Sequence, residues 1–285
     1  MFKESQRKIY FSFVVLVLLA IFFAAFIFWW RSYQTTTFVT FFDVGEGDAI
    51  LISQGSNQIL IDGGRKGKDL LARLGRRVPF WDRTIETIIA THPDADHIGG
   101  FVSLMSAYDV QAFLYTGAES DTETFSLLKK TIMEKNIGTL KIFRGGSIKF
   151  PRGGELAIEY PLSSLPAEAK ETNTGSIVSR FTYGETEILL TGDLPNEETV
   201  LTDIQPADIL KTAHHGSKYS TSAAFLDLLK PKEAVISVGK NSYGHPSPDV
   251  LERLRERGII IRRTDMGVDI QYRCTLEWAS CVFAR

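Results

Sequence analysis

Apolar and polar positions divide the chain into one long hydrophobic segment and a following region of short, regularly spaced elements. Residues 9–30 include no charged side chain, and Ser12 is nearly the only polar one. As a helix, this segment would be about 33 Å long, which is enough to cross the hydrocarbon core of a bilayer. The pattern predicts a transmembrane helix over residues 9–30, between a short basic segment, residues 1–8, and a polar linker, residues 31–36.

Two other readings of the hydrophobic segment are less consistent with its composition. A buried helix of a globular domain would need a polar face, which this segment lacks. A cleaved signal peptide would have a shorter apolar region that ends in small residues. Here the segment ends in Phe-Ile-Phe-Trp-Trp, and the tryptophans stand where an interfacial belt is expected. An uncleaved anchor is therefore favoured.

Basic residues around the segment predict its orientation. Lys3, Arg7 and Lys8 precede it, whereas Arg31 alone follows it before Arg65. Because positive residues are retained on the cytoplasmic side, we expect a single-pass protein of the cell membrane. Its N-terminus would lie in the cytoplasm and its domain, residues 37–285, outside.

The region after residue 36 alternates between strand and helix patterns. Strand patterns cover residues 38–42, 49–53, 58–61, 85–90, 177–183, 186–190, 207–211, 234–238 and 259–263. Helical periodicity covers residues 68–77, 100–108, 122–136, 196–201, 222–229 and 248–257. Two strand-rich halves, each flanked by helices, predict a four-layer α/β/β/α sandwich with its site along the edge where strand ends meet.

Composition adds little to this picture. The formal net charge is −2, so no global electrostatic attraction to nucleic acid is expected. Two cysteines, Cys274 and Cys281, suit an exported domain, where a disulfide would persist. They are either a hairpin staple or two buried thiols.

The most informative stretch is residues 91–100, which read Thr-His-Pro-Asp-Ala-Asp-His-Ile-Gly-Gly. Four potential metal ligands, His92, Asp94, Asp96 and His97, directly follow the apolar run 85–90. An extended exit from that strand would place His92, Asp94 and Asp96 on one face. Mixed imidazole and carboxylate ligands suit Zn, Mn or Fe. A lone Asp-x-Asp could equally cap a turn or a helix. A calcium loop is excluded because Ile98 occupies its third acidic position.

Later residues strengthen the metal interpretation. Asp193, in Leu-Leu-Thr-Gly-Asp, and the pair His214-His215 each follow another apolar run. The five histidines of the chain fall in three places, and the remaining one is His245. A site built from converging loops would produce this distribution.

In these motifs the chain resembles the metallo-β-lactamase superfamily, whose signature is His-x-His-x-Asp-His. It resembles most closely the hydrolase-like domain of ComEC-type DNA-uptake proteins. The matching stretches, in the family's order, are residues 41–52, 59–64, 91–100, 173–176, 190–193, 213–217 and 243–246. The resemblance covers about residues 37–272 and implies the same α/β/β/α sandwich.

Two departures separate the chain from the general signature of the superfamily. Asp94 replaces its second histidine, and no histidine occurs between His97 and Asp193, where Asn173 occupies the neighbourhood. ComEC-type domains share both features. Carboxylate-rich ligands move the metal preference towards Mn. Glu46 stands where the ComEC-type pattern usually has Gln.

The resemblance implies a site for two divalent metal ions, Mn or Zn. His92 and Asp94 would hold one ion, and Asp193 would bridge both. The second ion would be held by Asp96, His97 and His215, because His215, which precedes Gly216, matches the family's last ligand better than His214 does.

The implied chemistry is metal-assisted hydrolysis of a phosphodiester, in which the ions activate a water molecule. Asp96 would also orient that water. His214 would lie behind the ligands or contact a substrate oxygen. His245 is either a substrate contact or proton donor, or part of a helix-entry loop. Asn173 would be a weak ligand or a substrate contact.

The substrate is less clearly indicated by the residues. A basic stretch extends from Arg65 to Arg83, and it is either a solvated helix face or a track for a phosphate backbone. In the second case Arg73, Arg76 and Arg77 would bind single-stranded DNA.

Three functions therefore follow. The first is an anchored extracytoplasmic phosphodiesterase or nuclease acting on DNA beside a separate multi-span uptake channel, since one span cannot itself conduct DNA. The second is a surface esterase for phosphorylated polymers or lipids, of the phosphocholine type. The third is a non-catalytic, metal-stabilised module that docks to a partner.

Overall fold

The computed structural model describes residues 2–167 and 172–284, which form one long N-terminal helix and a two-sheet domain. The helix, α1, spans Phe2–Thr35. Its segment Tyr10–Thr35 is long and apolar enough to cross a membrane, and the apolar part of this segment is not buried against the rest of the protein. The prediction of an N-terminal apolar helix is confirmed, and this helix is a candidate membrane span.

The linker predicted over residues 31–36 is wrong, because α1 continues through Thr35 and only Thr36 precedes the first strand. No glycine or proline interrupts this stretch. The hydroxyl of Thr35 bonds the Arg31 carbonyl at 3.0 Å, and that of Tyr33 donates to the Gly55 carbonyl at 2.8 Å. The last turn of α1 is thus held against the domain. Most of the predicted segment 1–8 is helical as well, and residue 1 lies outside the described residues.

In the described residues, fifteen strands make up two sheets. They are β1 (Thr37–Phe41), β2 (Ile50–Gln54), β3 (Asn57–Ile61), β4 (Thr84–Ile89), β5 (Asp109–Tyr115), β6 (Gly138–Lys141), β7 (Ser147–Lys149), β8 (Glu155–Tyr160), β9 (Val178–Tyr183), β10 (Thr186–Leu190), β11 (Ile209–Lys211), β12 (Glu233–Ile236), β13 (Ile260–Arg263), β14 (Ile270–Thr275) and β15 (Ser280–Phe283). The first sheet has the order β15-β14-β1-β2-β3-β4-β5-β6. The second has the order β13-β12-β11-β10-β9-β8-β7.

Within residues 2–167 and 172–284, seven further α-helices connect these strands. They are α2 (Gly67–Leu74), α3 (Ala95–Ile98), α4 (Phe101–Ala107), α5 (Glu123–Glu134), α6 (Glu197–Val200), α7 (Ala223–Leu229) and α8 (Pro248–Glu256). Hydroxyl caps set several of their starts. Thr122 accepts from the backbone of Phe125 at the start of α5, and Ser222 accepts from that of Phe225 at the start of α7.

Three hydrophobic clusters separate the layers of the domain. The cluster between the sheets includes the fully buried Phe41 and Phe181. A second cluster packs α2, α4 and α5 on the first sheet, and a third packs α7 and α8 on the second. Burying one such phenylalanine contributes about 1.5–3 kcal/mol. The order helix, sheet, sheet, helix confirms the predicted α/β/β/α sandwich.

The two ends of the first sheet differ in what they carry. Thr37 of β1 and Asn57 of β3 both pair with Gln54, so these strands begin at the same end. The strand β4 runs parallel to β3 and also begins there, with Thr84. We call this the helix end, because α1 enters the domain at it. The chain leaves β3 and β4 at the opposite end, which we call the far end.

A disulfide joins Cys274 and Cys281, which face each other in the β14–β15 hairpin. Of the two alternatives that the sequence leaves open, the structure has the hairpin staple. The bond lies close to the helix end, because Cys274 also pairs with Thr37.

Candidate metal centre

The loop that follows β4 carries the first group of site residues. Thr91 and His92 lie in a bend after the end of β4 at Ile89, and Asp94 occupies the N-cap position of α3 in an extended conformation. Asp96 and His97 lie on α3 itself. The predicted extended exit is wrong, because the chain bends at residues 91–93 and a helical turn begins at Ala95. Asp96 reaches the site from that turn and not from an alternating strand face.

The second sheet supplies the remaining residues from the ends of two neighbouring strands. Asp193 follows β10, and its backbone N–H donates to the Ser176 hydroxyl at 3.2 Å. His214 and His215 follow β11 in a short turn and both adopt left-handed backbone conformations, with φ of 48° and 54°. Such strained conformations in non-glycine residues are frequent at functional sites.

Three ring nitrogens and three carboxylate oxygens meet where the sheets converge. Nε2 of His97 lies 3.2 Å from Oδ2 of Asp193, and Nε2 of His215 lies 3.4 Å from the same oxygen. Nε2 of His215 is also 3.5 Å from Oδ2 of Asp96. On the other side, Nε2 of His92 is 3.7 Å from Oδ2 of Asp94. The structure therefore brings all six predicted ligands together.

The donor atoms of this cluster fit divalent metal ions. Nε2 of His92, His97 and His215 and Oδ1 of Asp193 are buried and have no hydrogen-bond partner. One set of ligand atoms within 4.8 Å of one another comes from His92, His97 and Asp193, and another comes from Asp96, His97 and His215. Buried polar atoms without partners are costly, and a cation between them would satisfy them.

Asn173 lies beside this cluster, on a short 3-10 turn before β9. Its Oδ1 is buried without a hydrogen-bond partner, and its Nδ2 is 3.4 Å from Nδ1 of His214. The neighbouring Thr172 hydroxyl donates to Oδ1 of Asp94 at 2.7 Å. Asn173 is thus placed where it could meet either an ion or a substrate.

Asp62, a buried residue that the sequence motifs contain but that was given no role, supports the ligand His97. It lies at the end of β3, and its Oδ2 is 2.7 Å from Nδ1 of His97. The same carboxylate accepts from the backbone and the hydroxyl of Thr91 at 2.8 Å and 2.7 Å. The contact orients His97 so that Nε2 points at Asp193, as is usual for metal-binding histidines.

A buried ion pair, also unassigned from the sequence, lies behind Asp193. The Lys211 ammonium contacts Oδ2 of Asp48, lies 3.7 Å from Oδ1 of Asp193 and donates to the Gly192 carbonyl at 2.9 Å. Nδ1 of His215 is 2.9 Å from the Ser237 carbonyl. Because Lys211 neutralises Asp48, we place Asp48 behind the ligands and not among them.

Electrostatic coupling dominates the cluster. Burial, together with the neighbouring His97, lowers the pKa of His92 to about 3, so this ring is neutral. Burial opposes protonation of His215, but the carboxylates, led by Asp193, raise the pKa of that ring to about 10. Burial would also raise the pKa of Asp193, yet His215 and His97 hold it well below its ordinary value. Metal binding would therefore displace a proton from the His215 ring.

The cluster opens into a cavity of about 390 Å³ at the far end. Its lining is formed by Glu46, Gly47, Arg65, Asp94, Ala95, Asp96, Thr122, Asn173, Asp193, His214, His215, Val238, Gly239, Asn241, Tyr243 and His245. The rings of His214 and His245 are 5.5 Å apart. Gly47, with φ of 101°, lies so close that an added Cβ would be 1.7 Å from the Asp96 carbonyl oxygen.

Arg65 is the basic residue of the cavity lining. Its Nε lies 2.8 Å from Oε2 of Glu46, and its Nη2 lies 3.9 Å from Oδ1 of Asp96. This pair was not assigned from the sequence, since Arg65 is one of many basic residues there. Glu46, at the position where the ComEC-type pattern has Gln, thus holds an arginine at the mouth of the cavity.

The structure does not bring the predicted substrate-binding arginines into this cavity. Arg73 pairs with Asp43 at 2.8 Å and with Asp269 at 3.1 Å. Arg77 pairs with Asp269 at 3.4 Å. Neither residue lines the cavity, and neither does the exposed Arg76. Two of the three side chains are engaged in ion pairs within the domain, which explains their charge without a substrate.

Comparison with known proteins agrees with this geometry. Residues 42–240 match the family model of the metallo-beta-lactamase superfamily. ComE operon protein 3 of Bacillus subtilis (strain 168) is 31% identical over 258 residues, which cover 82% of this chain and 33% of that protein. Competence protein ComA of Neisseria gonorrhoeae is 28% identical over 247 residues, covering 82% of this chain and 32% of that protein. The chain spans about a third of the length of these relatives.

Solved structures share the fold at low sequence identity. The metallo-beta-lactamase fold protein YhfI from Bacillus subtilis has a TM-score of 0.54 and 14% identity, covering 84% of this chain and 100% of that one. Zn²⁺-bound PqqB from Methylobacterium extorquens has a TM-score of 0.55 and 12% identity, covering 81% of this chain and 99% of that one. The chain belongs to the metallo-β-lactamase superfamily, and ComEC-type competence proteins are among its homologues.

Proposed function

We propose that this protein is a membrane-anchored, metal-dependent phosphodiesterase that cleaves DNA in the context of DNA uptake. The observation that carries the proposal is the convergence of three unpartnered imidazole nitrogens and Asp193 beneath an open cavity. The competence-protein homologues support the DNA-uptake context.

The proposed cofactor is a pair of divalent ions, held by His92 and Asp94 on one side and by Asp96, His97 and His215 on the other. Asp193 would bridge them, because it lies near ligand atoms of both groups. Three aspartates among the ligands favour Mn over Zn. When bound, such ions supply an activated water molecule and neutralise charge on the phosphoryl group.

Other residues of the chain would bind and orient the substrate. We assign Arg65 to a phosphate oxygen, because it is the basic side chain of the cavity lining. Asp96 would accept a hydrogen bond from the attacking water. His214 and His245 line the same cavity and offer ring nitrogens that can pass a proton to the leaving oxygen. Asn173 would contact the substrate from the side of His214.

The position of the cavity favours a polymer in the aqueous phase over a membrane lipid as substrate. The helix α1 enters the domain at the helix end, whereas four of the proposed ligands, His92, Asp94, Asp96 and His97, follow β4 at the far end. Along strands of five or six residues, these ends lie on the order of 20 Å apart. A cavity that faces away from the bilayer does not suit an esterase for membrane lipids.

An extracytoplasmic position of the domain is part of the proposal. The Cys274–Cys281 disulfide supports it, since such bonds persist outside the cytoplasm. The basic residues Lys3, Arg7 and Lys8 before the span support it as well. The helix α1 offers no conduit for DNA, so membrane segments other than α1 would supply the channel.

The test compares substrates and metals with the full chain in detergent. A single-stranded oligonucleotide and a small chromogenic phosphodiester should both be cleaved. Activity should disappear on chelation and return with Mn more readily than with Zn. Asp96→Ala should abolish turnover, while Asp109→Ala, an exposed carboxylate at the helix end, should retain it.

Metal content gives a second readout. Asp193→Ala should lower the occupancy of both positions, because one carboxylate is shared, and the same Asp109→Ala control should keep full occupancy. Oligonucleotide cleavage that survives both chelation and Asp96→Ala would overturn the mechanism. Cleavage of the small phosphodiester without the oligonucleotide would overturn DNA as the substrate. Bound metal with neither activity would favour a docking module.

A further inference from the structure

Large apolar side chains are exposed in two loops of the domain. In the loop before β4, Phe80 is 79% exposed and Trp81 is 54% exposed. In the turn between β14 and β15, Leu276 is 59% exposed and Trp278 is 49% exposed. We call these four residues the rim residues. Exposed aromatic and aliphatic side chains of this size commonly mark an interaction surface.

Both loops lie at the helix end of the domain. The loop with Phe80 and Trp81 leads into Thr84, the first residue of β4. The turn with Leu276 and Trp278 follows Thr275, next to Cys274, which pairs with Thr37. In the sheet order, β14 and β4 lie on opposite sides of β1, separated by four strand spacings, or about 19 Å. The helix α1 leaves the domain from β1, between the two loops.

Contacts with α1 place the first loop at the level of the membrane interface. The ring of Trp81 lies 6.4 Å from that of Trp29, and Phe80 packs on Trp81 at 4.9 Å. Trp29 stands close to the end of the apolar segment of α1, where tryptophan side chains favour the boundary between lipid and water. Phe80 and Trp81 therefore lie at the same depth as an interfacial tryptophan.

The joint between α1 and the domain leaves little freedom to move the rim residues away. Only Thr36 separates the helix from β1, and its N–H donates to the Ser32 carbonyl at 3.0 Å. The Tyr33 hydroxyl bonds the β2–β3 turn at Gly55. An α1 embedded in a bilayer thus holds the helix end against the lipid surface.

Charged residues of both signs accompany the apolar groups at this end, and the acidic Asp109 and Glu277 are exposed. Arg83 and Arg152 are exposed, and the Arg152 backbone N–H donates to Gln54, which pairs with Thr37. The Arg273 guanidinium lies 5.9 Å from the ring of Trp278. Aromatic side chains beside arginines suit the headgroup region of a bilayer, where the rings meet acyl chains and the guanidinium groups meet phosphates.

We propose that the rim residues insert into the interfacial region of the same bilayer that α1 spans, as two contacts on either side of the helix. The protein is then attached to the bilayer at three places, namely α1 and the two loops, and its cavity faces away from the lipid. This attachment is independent of what the cavity hydrolyses.

The test uses the full chain in vesicles of phosphatidylcholine and phosphatidylglycerol. Single cysteines replace Phe80, Trp278 and, as the control, Tyr219, an exposed aromatic residue just after His215. The native cysteines form a disulfide and do not react with a thiol-specific, polarity-sensitive fluorophore. Phospholipid carrying a nitroxide near the headgroup serves as quencher. An unchanged β-sheet circular dichroism spectrum of each variant shows that the domain is folded.

Probes at residues 80 and 278 should be blue-shifted and quenched several-fold more strongly by the nitroxide lipid than the probe at residue 219. Quenching at residues 80 and 278 no stronger than at residue 219 would overturn the proposal. Quenching at residue 80 alone would overturn the second contact. A blue shift at both positions without lipid quenching would show a protein partner or a second copy on this surface and would also contradict it.

Discussion

Oδ2 of Asp62 lies 2.7 Å from Nδ1 of His97, so the opposite nitrogen of that ring faces Asp193 across 3.2 Å. The Asp62 carboxylate is itself held by two hydrogen bonds from Thr91. A carboxylate that accepts from one ring nitrogen keeps the other available for a metal ion and makes it more basic. The orientation of the His97 ring is therefore determined before any ion binds.

Asp62→Asn should weaken metal binding by about 10- to 100-fold, the range for outer-layer partners of metal ligands. The amide oxygen keeps the bond from the Thr91 backbone, but the NH2 group at the position of Oδ2 cannot accept from the Thr91 hydroxyl. It presents an N–H group to Nδ1 of His97, which reverses the ring tautomer. Competition with a chromogenic chelator measures the affinity. Asp109→Asn, an exposed change at the helix end, should leave it unchanged. An unaltered affinity in the Asp62 variant would contradict this role.

Lys211 is expected to stabilise the fold by neutralising Asp48. Both residues are fully buried, so Lys211→Met leaves an uncompensated carboxylate and should lower the free energy of unfolding by about 3–5 kcal/mol. Denaturant unfolding of the metal-free chain in detergent, followed by the β-sheet circular dichroism, measures the loss.

A matched control comes from an exposed pair of the same residue types. Lys232 lies 2.7 Å from Asp208 at the surface, and Lys232→Met should cost less than about 1 kcal/mol. The double change Lys211→Met with Asp48→Asn should recover part of the loss, because the uncompensated charge is gone. Equal losses for the two lysine variants would refute the assignment.

The candidate ligands stand out in the sequence, whereas the residues that contact them do not. His92, Asp96 and His97 stand in one short motif, and their type and spacing indicate metal chemistry without any knowledge of the fold. Asp48 and Lys211 are ordinary residue types, and their contact joins segments far apart in the chain. Only the packing of one sheet edge against the other shows that they meet.

The fold was predictable to a similar degree. Strands with continuous apolar patterns, such as those that became β4 and β10, were predicted, but the edge strand β6 (Gly138–Lys141) is exposed throughout and has no such pattern. The linker prediction over residues 31–36 failed because polarity indicates solvent exposure and not the end of a helix. The basic stretch likewise did not reveal that Arg73 and Arg77 pair within the domain.

Glu197 should make stability depend on pH. Burial raises the pKa of this carboxyl to about 7, although it accepts hydrogen bonds from the Thr221 backbone at 2.9 Å. The folded protein therefore binds this proton more tightly than the unfolded chain, where the pKa is near 4.5. The stabilisation is fully present below about pH 4.5 and is lost as the pH rises through about 7, by about 3 kcal/mol in all.

Glu197→Gln removes this titration, so the variant should gain stability relative to the parent chain between pH 5 and pH 8. Urea unfolding at both pH values measures the difference, and the other titrating groups cancel because both chains contain them. The exposed Glu185→Gln should show a constant difference. A difference that is equally constant for Glu197→Gln would exclude a raised pKa.

Arg65, and not the Arg73–Arg77 stretch, should set the salt dependence of oligonucleotide cleavage. Arg65→Ala removes the basic side chain of the cavity and should raise the KM for an oligonucleotide, with a salt slope lower by about one phosphate contact.

Glu46→Gln releases Arg65 from its ion pair and should lower the KM. Arg76→Ala, at an exposed position outside the cavity, should change neither value. Arg73→Ala should mainly reduce stability, since Asp269 is buried and loses its closest charged partner. The KM and its salt dependence, measured over a range of KCl concentrations, separate these outcomes. The assignment of Arg65 would be contradicted if the salt slope were unchanged in Arg65→Ala and reduced in Arg76→Ala. That outcome would indicate that the basic stretch around the end of α2 binds the oligonucleotide.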